Sequence, residues 1–189
     1  MNLIEKMEEY ASKNYVPIAR KVNIEYLQNL IINEKLYNIL ELGSAIGYSA
    51  ICLASVSENV KIKTIERNEE LYNIALNNIK EANLLDRIEI INDDIFNVDI
   101  IGEYDLIFID AAKAQYMKFF EKIKGNLSDK GVIVSDNIDL LDLQKLTDSK
   151  KSKKLVEKMK VYKEHILSLS EYNSEYIDVG DGFIVTRKK

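Results

Sequence analysis

The chain has 189 residues, 47% hydrophobic and 30% charged, which suffices for one packed core and rules out a disordered polyampholyte. A net charge of -5 excludes a fold-wide basic surface for nucleic acid, though not a local basic patch. One cysteine (Cys52) and one histidine (His165) exclude a disulfide framework, a cysteine-based zinc cluster and a multi-histidine metal site.

The N-terminal MNLIEKMEEYASKNY is acidic and amphipathic and lacks the apolar centre of a signal peptide. No run of roughly 18 apolar residues follows, so no membrane span is expected and the cytoplasm is the expected compartment. Short β-branched runs then recur: Ile39–Leu42, Ile62–Ile65, Ile88–Ile91, Leu106–Ile109 and Val132–Val134, each the length of a buried strand. Between them, Glu69 to Asn83 carries Leu71, Ile74, Ala75, Asn78, Ile79 and Ala82 at three-and-four spacing, an amphipathic helix. Tyr116 to Leu127 repeats the pattern with Phe119, Phe120 and Ile123. Alternation of this kind predicts an α/β fold, a parallel sheet with helices on both faces. Tyr176–Val179, Gly180-Asp181-Gly182 and Phe183–Thr186 then read as an antiparallel hairpin with a tight glycine turn.

The first strand ends in Glu41-Leu42-Gly43-Ser44-Ala45-Ile46-Gly47-Tyr48-Ser49, an E-x-G-x-x-x-G loop with a helix expected from about Tyr48. It is neither the G-x-G-x-x-G of dinucleotide binders nor a phosphate-gripping P-loop. Its glycines either bring backbone close to a ligand at the carboxyl edge of the sheet or merely make a turn. Glu66 ends the second strand nineteen residues after Gly47, where a carboxylate can accept hydrogen bonds from both hydroxyls of a ribose. Asp94, at the end of the third strand beside Ile95, could hold the amino edge of an adenine. An adenosine pocket without phosphate contacts suits S-adenosylmethionine best.

The fourth strand ends at Asp110 and the fifth at Asp136-Asn137. Adjacent parallel strands would bring these three oxygen donors together, a hard ligand set suited to Mg²⁺ or Ca²⁺. Helix capping by either aspartate is the plainer alternative.

Taken together, ELGSAIGYSA, TIER, FIDAAKAQY, SDN and VGDGF resemble the cation-dependent O-methyltransferases, the group of catechol and caffeoyl-CoA O-methyltransferases. Within it the sequence is most similar to the bacterial branch that methylates 5-hydroxyuridine in tRNA, through Tyr15-Val16-Pro17-Ile18 and the lysine-rich stretch before the last hairpin. The resemblance implies a Rossmann-like class I methyltransferase fold with a seven-stranded, mostly parallel sheet: a helical lead over 1–35 and the core over 36–189, in one domain. It implies that Ala19, Glu41, Gly43, Gly47, Tyr48, Ser49, Glu66, Asp94, Ile95 and Asp110 serve the methyl donor. It further implies that Asp110, Asp136 and Asn137 hold Mg²⁺, and that the enzyme is a homodimer. Ala111-Ala112 replace the bulky residues that help gate catechol in the animal enzymes, which disfavours a catechol pocket. Asp110 and Lys113 are the expected catalytic residues, with Lys113 as general base; a plain surface lysine is the alternative.

From Lys145 to Lys163 eight lysines stand against Asp148 and Glu157. The excess points either to a phosphate-contacting patch for tRNA or to a solvated helix face. The expected reaction is Mg²⁺-dependent methylation of a hydroxyl oxygen, 5-hydroxyuridine becoming 5-methoxyuridine. A small-molecule phenol or catechol O-methyltransferase and a non-catalytic adenosine- or RNA-binding module are the other two classes. Cys52 is expected to be buried and inert, and His165 to serve packing or the surface.

Overall fold

A computed structural model describes residues 1–139 and 149–189. Lys145 and Asp148 of the lysine-rich run lie outside the described residues. Helix α1 (Leu3–Asn14) begins at a capping box in which Asn2 Oδ1 accepts from the Glu5 N–H and Glu5 accepts from the Asn2 N–H. Helix α2 (Lys21–Glu34) buries Ile24, Leu27 and Ile31. There follow β1 (Asn38–Leu42), α3 (Tyr48–Ala54), β2 (Lys61–Glu66), α4 (Glu69–Glu81), β3 (Ile88–Asn92), β4 (Tyr104–Ile109), α5 (Tyr116–Ile123) and β5 (Leu127–Ser135). From residue 149 onward come α6 (Lys150–Ser168), β6 (Tyr172–Ile177) and β7 (Phe183–Lys188).

The sheet has seven strands in the order β3-β2-β1-β4-β5-β7-β6. The first five are parallel, and β7 runs antiparallel between β5 and β6. This is the seven-stranded, Rossmann-like arrangement expected from the motifs. Strand side chains alternate between two cores, as a period of two requires. Ile39, Leu106, Phe108, Val132, Val134, Phe183 and Val185 pack with α1, α2 and α3 and with Ile79 of α4. Leu40, Leu42, Ile107, Ile109, Ile133 and Ile184 face α5 and α6, against Phe119, Phe120, Met159, Tyr162 and Ile166. Each of the larger side chains contributes roughly 1.5–3 kcal/mol of burial. Among the described residues no helix is long and apolar enough to cross a membrane.

Three boundaries differ from expectation. The hairpin strand expected over Tyr176–Val179 is Tyr172–Ile177, and the turn is the five-residue loop 178–182. Asn173, Ser174 and Glu175 are polar because β6 is an edge strand, so no apolar run marks it. Helix α5 stops at Ile123 and hands over to a 3₁₀ turn, Lys124–Asn126, so Leu127 starts β5 instead of ending the helix. Strand β5 itself is nine residues long, with Asp129 and Lys130 in its exposed first half.

Candidate active site

Strand order reverses between β1 and β4, since β1 pairs with β2 on one side and β4 on the other. The carboxyl ends of β1, β2, β4 and β5 therefore share one edge, where open α/β sheets bind ligands. Backbone bonds align that edge: the Gly43 N–H donates to Ile65 O (3.0 Å), the Asp110 N–H to Leu42 O (3.1 Å) and the Asp136 N–H to Ile109 O (3.0 Å).

The glycine loop passes directly over the end of β4. Gly43 has φ +100°, and a Cβ there would lie 2.4 Å from the Asp110 carbonyl oxygen, so neither the dihedral nor the space admits a side chain. Glu41 is wholly buried beneath the loop, where it accepts hydrogen bonds from Ser49 Oγ and from Thr64 Oγ1 (2.5 Å). Ser44 Oγ shares a hydrogen bond with the same threonine (2.5 Å). Burial pushes the Glu41 carboxyl up to about 7, with the two hydroxyl donors working in the opposite direction. Glu66 Oε2 accepts from the Ala45 N–H (3.0 Å) and Oε1 from the Asn68 N–H (2.8 Å), which ties the end of β2 to the glycine loop. Asp94 Oδ1 accepts from the Phe96 N–H (2.9 Å), closing a tight turn after β3. The Phe96 ring stacks on Phe119 at 5.2 Å.

A cavity of ≈ 340 Å³ lies over these strand ends. Ala19, Gly43, Tyr48, Ser49, Glu66, Asp94, Ile95, Asp110, Lys113 and Asn137 line it. Glu41, Gly47 and Asp136 are not on its wall. Gly47 (φ +80°) starts α3 close against Ala75, and Glu41 and Asp136 are fully buried. Sequence reasoning assigned no role to Phe96 or Arg67 on the wall, or to Asn23 behind it; Arg67 closes the TIER motif, whereas Phe96 and Asn23 belong to no motif.

The acidic cluster forms where β4 and β5 end side by side. Asp110 Oδ1 accepts from Asn137 Nδ2 (3.3 Å) and from Lys113 Nζ (3.4 Å). Asn137 takes a left-handed φ of 57°, which turns the chain straight after β5. Asp136 Oδ1 accepts from the Asn137 N–H (2.5 Å) and from Asn23 Nδ2 (2.9 Å). Its other oxygen, Oδ2, is buried without a partner. Burial and the neighbouring Asp110 push Asp136 up to about 7. A buried carboxylate oxygen with no donor, beside a second carboxylate, is costly unless a cation joins it. Two carboxylates and an amide oxygen fit a hard divalent ion that keeps several waters, such as Mg²⁺. Among the described residues no three or more His, Cys, Asp and Glu side chains gather into a metal site, so the candidate set here is the two aspartates with the Asn137 amide. Cys52 is buried, and desolvation pushes its thiol up to about 11, which keeps it protonated and inert.

The fold and this edge define a class: an α/β protein with a nucleoside-sized cavity beside a cation-ready acid cluster. The sequence profile of the O-methyltransferase family matches residues 2–189, and the chain belongs to that family. The enzyme class expected from the motifs therefore holds, against a non-catalytic binding module. Tapetum-specific methyltransferase 1 from Arabidopsis thaliana is 27% identical over 98% of this chain and 86% of its own length. The catechol O-methyltransferase of Niastella koreensis is 34% identical, but the match spans 53% of this chain and 49% of that protein, about half of each. Among solved structures, a caffeoyl-CoA O-methyltransferase candidate from Staphylococcus aureus is 32% identical. It covers 100% of this chain and 93% of its own, with a TM-score of 0.91. The Bacillus cereus O-methyltransferase solved with S-adenosylhomocysteine is 26% identical over 99% of this chain and 90% of its own, with a TM-score of 0.85.

Proposed function

We propose that this chain transfers the methyl group of S-adenosylmethionine to a substrate hydroxyl oxygen, with Mg²⁺ held by Asp110, Asp136 and Asn137. The observation that carries the reading is the buried, unpartnered Oδ2 of Asp136, beside a cavity walled by the glycine loop, Glu66 and Asp110. The B. cereus relative, which holds the demethylated donor, supports the choice of donor. Glu66 accepts from the ribose hydroxyls and Asp94–Ile95 meet the adenine edge, while Ala19, Tyr48, Ser49 and Gly43 surround the rest of the donor. Mg²⁺, when bound, supplies Lewis-acid polarisation of the attacking hydroxyl. Lys113 Nζ takes the hydroxyl proton as the O–CH₃ bond forms and the S–CH₃ bond breaks. Glu41 holds Ser49 from below, and alignment of oxygen, methyl and sulfur provides most of the remaining rate.

For the substrate we favour 5-hydroxyuridine in the tRNA anticodon loop, with 5-methoxyuridine as product. The support is α6, where Lys150, Lys151, Lys153, Lys154, Lys158 and Lys160 are all exposed while Met159, Tyr162 and Ile166 face the core. That reading makes the protein a cytoplasmic homodimer acting on tRNA. The second reading, a small phenol or catechol, is supported by the catechol and caffeoyl-CoA enzymes among the relatives. One assay separates the two. The purified protein is given labelled S-adenosylmethionine and either hydroxyuridine-bearing tRNA or catechol, in Mg²⁺ or in EDTA. Methyl transfer to tRNA, abolished by EDTA, is the expected result. Transfer to catechol alone would establish the second reading, and full turnover in EDTA would remove the cation.

A further inference from the structure

The chain segment that enters α2 lines the cavity through Pro17, Ile18 and Ala19. Four residues on, in the first turn of the helix, Asn23 is 1% exposed and reaches Asp136 instead. We infer that Asn23 is a positioning residue for the cation ligand Asp136: its amide saturates Oδ1, so that Oδ2 is the atom left bare for the metal. This inference rests on the cation site proposed above.

Three observations carry it. First, the donor count on Asp136 is lopsided. Oδ1 accepts from both Asn23 Nδ2 and the Asn137 N–H, whereas Oδ2 accepts from nothing although it is equally buried. A carboxylate held in this way cannot rotate without giving up two hydrogen bonds in a dry interior. Second, the amide can point only one way. Turned over, Asn23 would set its carbonyl oxygen against a carboxylate oxygen 2.9 Å away, two acceptors with no proton between them. Its own Oδ1 is buried without a partner and faces the backbone of Gly180. A Cβ on that glycine would lie 1.9 Å from it, and Gly180 has φ +59°. The loop that carries Gly180 is tied to the start of α2 by the Arg20–Asp181 ion pair (3.0 Å). Third, the amide is neutral. A lysine or arginine at this position would also orient Asp136, but would cancel the charge a divalent ion needs, whereas asparagine orients it and leaves the charge intact. Hydrogen-bond partners of this kind set the orientation of metal ligands, and losing one commonly costs 10–100-fold in metal affinity.

The test is calorimetric titration of Mn²⁺, used as the probe, into the metal-free full-length protein. Binding of S-adenosylhomocysteine to the same samples serves as the control, with circular dichroism as a check on folding. Asn23→Leu keeps the volume and removes the donor. It is expected to weaken Mn²⁺ binding about tenfold or more while S-adenosylhomocysteine affinity stays within about twofold. Gly180→Ala keeps the amide but drives a methyl group into it, and is expected to weaken Mn²⁺ in the same selective way; it decides the matter if the leucine variant does not fold. A folded variant that binds Mn²⁺ like the wild type, or that loses both ligands equally, would reduce Asn23 to a packing role. Asp136→Asn separates the two levels of the argument. If it too binds Mn²⁺ normally, the cation reading fails and the assignment falls with it. If it loses Mn²⁺ while Asn23→Leu does not, only the assignment falls.

Discussion

Glu41 shows how far burial, helped by the neighbouring charges of Asp110 and Glu66, can reset a side chain. It has no exposure, no cation beside it, and two hydroxyl donors that only partly compensate. Its carboxyl is raised from an ordinary 4.5 to about 7. Between those two values the native protein holds a proton that the unfolded chain has lost, so stability falls as pH rises through that window. Once pH exceeds about 7 the loss from this residue is complete, on the order of 3 kcal/mol. Urea unfolding in EDTA at pH 5, 6, 7 and 8 is therefore expected to show declining stability, and Glu41→Gln to flatten the decline. Asp136, raised in the same direction, leaves a remaining slope. An unchanged slope in Glu41→Gln would mean that this carboxyl is already ionised in the fold. The glycine loop, Glu66 and the three oxygen donors were legible as residues, because each belongs to a short motif at a strand end. Asn23 was not. Its partner lies 113 positions away, and nothing in a run such as KVNIEYLQNL marks an asparagine that faces an acid cluster.

The secondary-structure elements were legible where both faces of a strand are buried and hidden where one face is wet. The central parallel strands β1, β4 and β5 announce themselves as β-branched runs, since both of their faces are buried, and β2 and β3 are legible through their isoleucines although part of each is open to solvent. Strand β6 turns Asn173 and Glu175 to solvent, so its polar residues mask it. The end of α5 was misread because Leu127 continues the helical spacing while serving as the first buried residue of β5. Helix α6 was legible as charge before it was legible as structure. Its exposed lysines and its buried Met159, Tyr162 and Ile166 fall on opposite sides, so the positive charge is gathered on the solvent side. Replacing Lys150, Lys151, Lys153 and Lys154 with Ala is expected to weaken tRNA binding and to reduce the slope of log affinity against log salt by roughly one for each phosphate no longer neutralised. S-adenosylhomocysteine binding is expected to stay unchanged, because none of the four lines the cavity. Catechol turnover equal in wild type and variant, with no tRNA binding to weaken, would show the lysine face to be a solvated surface only.

At the scale of the whole molecule the decisive feature is the place of β7, inserted between β5 and β6. It hydrogen-bonds to both, while among the described residues β6 has no partner in the sheet other than β7. Its side chains Phe183, Ile184 and Val185 are fully buried and divided between the two cores. A chain lacking residues 183–189 is therefore expected to lose far more than one strand. It should bind a hydrophobic dye and be cleaved rapidly at low protease concentration, whereas resistance equal to the full chain would show that the five parallel strands stand alone. The same placement bears on biosynthesis. Translation at about 5–20 residues per second separates Ser135 from Lys188 by several seconds. Throughout that interval a nascent chain presents the β5 edge, with Val132, Ile133 and Val134, to whatever else is in the cell. That edge is sealed only once β7 has been made, and the interval before it is when a chaperone has most to protect.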